Sequence, residues 1–139
     1  MKHIISIVAF MVVTFAVQGT SHFVLNADHY AGIAHLRPEP IMPLGFAAMI
    51  IQGAILSLLL ERSTNNQATI KDGFFLSMMF GIFLGSYMWL AEPAKYAVPS
   101  VTAWVLVELP MNLIQFAVYG VMIGFIHQRF TKQVAAEPA

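Results

Sequence analysis

The sequence predicts an all-α fold, an integral membrane four-helix bundle with both termini in the cytoplasm, and three observations carry that prediction. First, 58% of the 139 residues are hydrophobic and 10% are charged, against about 25% charged in typical globular proteins. Second, the charges are clumped: none lies from Ile4 to Ala27, from Pro40 to Leu60 or from Gly73 to Ala91, and Glu108 stands alone from Tyr96 to Gln128. Each run is long enough to cross a bilayer, because about 20 apolar residues at roughly 1.5 Å of rise each span the hydrocarbon. Third, the bases are unevenly placed. With alternating helix directions one side collects Lys2, Arg62, Lys71, Arg129 and Lys132, and the other collects Arg37 and Lys95. Loops rich in Lys and Arg stay inside, which sets the orientation. The chain 1–139 reads as a single domain, multi-pass in a bacterial inner membrane.

Helix one is expected at 4–26. Its Met-Lys-His start also resembles the head of a secretory signal, but the apolar run is long and Ala16-Val17-Gln18 is a poor cleavage site. Thr14, Gln18, His22 and Asn26 recur every fourth residue and so form one polar stripe. The following outer loop gathers Asp28, His29, Tyr30, His35, Arg37 and Glu39, and Pro38 and Pro40 stiffen it. Helix two, 43–61, starts with Pro43 in the first turn, where a missing N–H costs nothing. Helix three, 72–91, has Asp72 or Thr69 to cap it. Its small residues Gly73, Ser77, Gly81 and Gly85, with Gly120 and Gly124 on helix four, form packing faces that let backbones approach within the bundle or between copies.

Helix four, 100–127, is followed by a short polar tail, 128–139. Trp89 and Trp104, near the outer ends of helices three and four, suit an interfacial aromatic belt. Glu108, Asn112, Gln115 and Tyr119 share one face of helix four. An acidic side chain deep in a spanning helix costs about 2.5 to 3.5 kcal/mol, so Glu108 must face the interior and find a partner. Pro110 frees the Leu106 carbonyl nearby. If helices one and four are antiparallel neighbours, Gln18, His22 and Glu108 converge in the outer half of the bundle, with Asn112 and Gln115 beside them, as a ligand or proton site.

Composition excludes several functions. Seven basic and seven acidic residues leave no basic surface for nucleic acid, and zero cysteines remove disulfides and thiolate chemistry. The histidines lack metal-ligand spacing, so no metal is expected, and no cofactor fingerprint or nucleophile elbow is present. No catalytic residue is assigned.

The stretch from His22 through Tyr30 and Arg37-Pro38-Glu39 to Met42, together with Gly81, Gly85, Trp104, Glu108, Gly120 and Gly124, resembles a family of short bacterial four-helix membrane proteins that carry a domain of unknown function. That resemblance implies a four-helix bundle and brings no activity; Leu36 stands where such a chain would place an aromatic. The expected role is a membrane protein without chemistry of its own, an accessory subunit or small-ligand binding protein. Its partners are the lipid bilayer and a homo-oligomer or larger membrane complex. The alternatives are an oligomeric proton-coupled transporter titrating at Glu108, and a small enzyme or metal- or haem-associated protein using His22 and Glu108.

Overall fold

The computed structural model describes residues 1–34, 36–37 and 39–136, with side chains as far as Thr131, and among these residues there is no strand. Its helices are α1 (Lys2–Leu25), α2 (Ala27–Ala31), α3 (Met42–Ser63), α4 (Ile70–Lys95) and α5 (Val101–Ala136). Among the described residues, α1, α3, α4 and α5 are the four long and apolar enough to cross a membrane. The tail expected from Gln128 is instead helical as far as Ala136. Gln, Arg and Lys are good helix formers, and neither Gly nor Pro interrupts 128–136.

Local chemistry sets the ends. Pro43 sits in the first turn of α3. Asn65 and Asn66 then take left-handed angles, φ 49° and 62°, which short amide side chains tolerate. The Asn66 N–H reaches back to the Glu61 carbonyl at 2.8 Å and closes the helix end. At α4 both candidate caps act together. The Thr69 hydroxyl accepts from the Asp72 N–H, and the Asp72 carboxylate accepts from the Thr69 N–H at 2.9 Å, a reciprocal capping box.

Two helices depart from α geometry. α1 widens into π-turns at Phe15–Gly19 and Ser21–Leu25, and α4 does so at Tyr87–Ala91. Such turns add a residue per turn and gather at functional sites. They break the expected stripe on helix one, because Asn26 leaves helical angles and donates to the Ser21 hydroxyl at 3.0 Å.

Adjacent helices run antiparallel. On α1 and α5, Thr14 meets Gln115, the Phe10 ring stands 4.8 Å from Tyr119, and the His3 ring stands 5.8 Å from His127. The small residues of α4 are spent on α5: a Cβ on Gly73 would fall 2.5 Å from the Gly124 backbone, and one on Gly81 would fall 2.7 Å from Phe116. The Ser77 hydroxyl donates to the Phe116 carbonyl at 2.7 Å. That face is therefore occupied within the chain and is not free for self-association.

Polarity is inverted relative to a water-soluble protein. Phe83, Leu106 and Phe75 are 77%, 69% and 66% exposed, whereas Glu108, Asn112 and His127 are 3%, 2% and 1% exposed. The aromatic layer of Phe10, Phe116 and Tyr119 divides the interior into a polar cluster at the Tyr30 end and another at the His3 end.

Candidate functional site

Glu108 finds its partner in the loop segment. Short helix α2 turns Tyr30 inward, and its hydroxyl donates to Glu108 Oε1 at 2.6 Å in a buried contact. Burial pushes the Tyr30 hydroxyl above the ordinary tyrosine range, and the Glu108 carboxyl group pushes it further in the same direction. The His22 ring lies flat on Tyr30, 3.7 Å between centroids at 12°. The ring is held there through Nδ1, which is 2.9 Å from the Gln18 carbonyl.

The expected convergence of Gln18, His22 and Glu108 is thus corrected in its wiring. His22 connects to Glu108 through the Tyr30 ring and hydroxyl. Gln18 belongs to a second group one layer deeper, where its Nε2 donates to Gln115 Oε1 at 2.8 Å and Gln115 Nε2 donates to the Thr14 hydroxyl at 2.9 Å. Asn112 lies across the bundle against α4, its Oδ1 where a Cβ on Gly85 would be 2.6 Å away. Asn112 Oδ1 and Gln18 Oε1 are buried without a protein hydrogen-bond partner.

The outer-loop residues divide. Tyr30 is buried, and His29 is half-buried with its ring 6.2 Å from Trp104. Asp28, Arg37 and Glu39 are exposed, and His35 and Pro38 lie outside the described residues. Trp89 and Trp104 do not form a belt. Both are buried, and Trp104 Nε1 donates to the Met88 carbonyl at 2.9 Å beneath Tyr30 and Ile33. The indole needs a hydrogen-bond acceptor, and the π-turn of α4 begins beside this one. Outside this packing is an open groove of about 950 Å³, lined by His22, Tyr30 and Arg37 among apolar residues including Phe23, Ile33 and Leu36.

A scan of protein-family models, and searches of curated proteins and of solved structures, find no match to this chain. Among the described residues no three His, Asp or Glu side chains are grouped to hold a metal ion.

A second polar cluster, at the His3 end, is absent from the sequence reading. Ser57, fully buried, places its hydroxyl oxygen 2.8 Å from His3 Nδ1 and 2.9 Å from His127 Nε2. His3 Nε2 is 2.9 Å from Glu61 Oε2, and Lys2 Nζ is 2.6 Å from Glu61 Oε1 and also bonds Asn66 Oδ1. Two signals in the sequence point here: Ser57 and Glu61 are four residues apart on one helical face, and His127 closes the apolar run of helix four, where a buried imidazole requires a partner.

Proposed function

We propose that this chain is a multi-pass protein of a bacterial inner membrane, with both termini cytoplasmic. It binds a small amphipathic ligand in the groove at the Tyr30 end and carries out no chemistry of its own, as an accessory or ligand-binding component of a membrane complex. The inverted polarity supports the bilayer as its solvent, since Phe83 and Leu106 on the outside need an apolar medium. The groove is the single observation that carries the binding reading: apolar walls surround a convergent His22, Tyr30 and Arg37, the pattern of small-molecule sites. Arg37 suits an anionic or carbonyl end, the stacked His22 and Tyr30 supply a flat polar edge, and Glu108 fixes Tyr30 from behind.

Native mass spectrometry of the protein released from nanodiscs tests this. The expected result is a retained small molecule whose occupancy falls at least ten-fold in Arg37→Gln. A bare mass for the wild type, or equal occupancy in the variant, overturns the binding reading.

The buried run Glu108, Asn112 and Gln115 supports a second reading, a proton-coupled permease titrating at Glu108. Undiminished proton flux in reconstituted Glu108→Gln would remove it.

A further inference from the structure

The glycine face of α4 is taken up by α5, and the inner face of α3 is taken up by α1, where a Cβ on Gly53 would fall 3.1 Å from the Ile7 backbone. Gln52, the residue before Gly53, is turned from that contact by about 100° around the helix. It stands ten residues after Met42 and eleven before Ser63, so it lies roughly 15 Å from either end of α3. A glutamine side chain does not reach from there to the headgroups. Among the described residues its amide has no hydrogen-bond partner. It lines a crevice of about 130 Å³ between α3 and α4, walled by Ile55, Phe80, Phe83 and Leu84. Ile55 and Phe83 are 45% and 77% exposed, so the crevice opens outward, toward lipid. There an amide set among alkyl and phenyl groups leaves both its donors and its acceptor unsatisfied, which is costly in hydrocarbon.

We propose that a second copy of this chain covers the crevice, with α3 packed on α3 about a two-fold axis normal to the membrane and the two Gln52 amides hydrogen-bonded to each other. The pairing rests on the reading of α3 as membrane-spanning. Three features select an identical chain over other occupants. Copies inserted in the same direction carry Gln52 at the same depth, so a two-fold axis beside α3 sets amide against amide. A primary amide both donates and accepts, so two of them satisfy each other reciprocally, whereas an acyl chain offers neither group. The surrounding residues also have the spacing of a helix pair. Ala48, Gln52, Ile55 and Leu59 recur at intervals of four, three and four, the a and d positions of a heptad, and Ala48, Ile55 and Leu59 are exposed. One polar residue in such a seam fixes register and the number of partners. A space of this size accepts about one benzene-sized group, so what enters the crevice is a single side chain of the partner helix, a knob in a hole.

The chain has no cysteine, so single cysteines report contacts between copies cleanly. In vesicles of phosphatidylethanolamine and phosphatidylglycerol oxidised with copper phenanthroline, Ala48→Cys and Ile55→Cys are expected to give disulfide-linked dimers. Ile50→Cys, between them in depth, exposed and on the other flank of α3, is expected to stay monomeric. Energy transfer between donor- and acceptor-labelled copies in the same vesicles, over a range of protein-to-lipid ratios, measures the association itself. Gln52→Leu keeps the size of the side chain and removes the amide, and it is expected to weaken association about ten-fold or more. The monomer is expected to lose no thermal stability, since leucine suits lipid. Wild-type protein that stays monomeric, cross-linking at Ile50 equal to that at Ile55, or association unchanged in Gln52→Leu overturns the proposal; the first of these leaves the crevice to an acyl chain or to a different subunit. Alkaline carbonate extraction separates that failure from failure of the membrane reading. A chain stripped from the vesicles does not span them and overturns both, whereas one that resists extraction and remains monomeric overturns the dimer alone.

Discussion

Replacing Tyr30 by Phe removes one oxygen atom and leaves the ring, so the stack on His22 and the packing on Trp104 and Ile33 persist. What is lost is the 2.6 Å hydrogen bond to Glu108, whose side chain is 3% exposed and receives no water in exchange. Leaving a buried acceptor unsatisfied costs about 1 to 3 kcal/mol, and the almost fully buried Glu108 side chain lies in the upper part of that range. The expected loss for Tyr30→Phe is therefore about 2 to 3 kcal/mol, a roughly 30- to 150-fold shift toward the unfolded state. Glu108→Gln keeps an acceptor for the hydroxyl and is expected to cost only about 1 kcal/mol. The double variant should be less destabilised than the sum of the singles, since both act on the same bond. Reversible unfolding in mixed micelles, followed by far-ultraviolet circular dichroism, measures all three. A Tyr30→Phe protein within about 0.5 kcal/mol of wild type, or strictly additive singles, refutes the assignment of Tyr30 as the partner of Glu108.

Three further outcomes are expected. Gly124→Ala sets a Cβ 2.6 Å from the Ile70 backbone, so α4 and α5 must separate, and a loss of about 1 to 3 kcal/mol is expected in the same unfolding assay; Gly45→Ala, with nothing within 4 Å, is expected to gain about 0.5 to 1 kcal/mol. Thr69→Ala removes the capping box of α4 and is expected to cost about 1 kcal/mol, read as a lowered midpoint with an unchanged slope. In a tyrosinate absorbance titration, Tyr30 is expected to ionise above the ordinary range, chiefly because it is buried. Its folded value is raised, so its contribution to stability is full below the unfolded value and fades as pH climbs through the folded one. Glu108→Gln is expected to lower its ionisation only in part, because burial is the larger cause.

The four long apolar helices were legible because an absence of charge over some twenty residues is a property of composition. So was the interior position of Glu108, which follows from what an acid costs in lipid. Tyr30 was not, since a tyrosine in a polar loop carries no mark of the side to which the loop folds. The π-turns were equally hidden: they depend on which carbonyl an N–H selects, and Phe15–Gly19 reads as ordinary helix. The His3 cluster was missed for another reason. Lys2 counts in the sequence as one of the bases that set orientation, Glu61 is the last residue of the range expected for helix two, Ser57 is small enough to pass as packing, and His127 stands at the boundary of an expected tail that is helix. The requirement for a partner, imposed on Glu108, holds equally for His127, and applied there it points to the same helix end.

The contacts that close the bundle have an order in time. Thr14 and Gln18 of α1 are joined to Gln115, 101 and 97 residues later in the chain, and Tyr30 waits 78 residues for Glu108. During synthesis the first helix therefore exists with its polar groups open until the last is made. A nascent chain halted before α5 presents the Thr14 and Gln18 side chains without Gln115, a surface to which a chaperone or a second nascent chain can bind. Arrival of α5 withdraws that surface in one event, so the chain that carries α5 is chemically distinct from every stage before it.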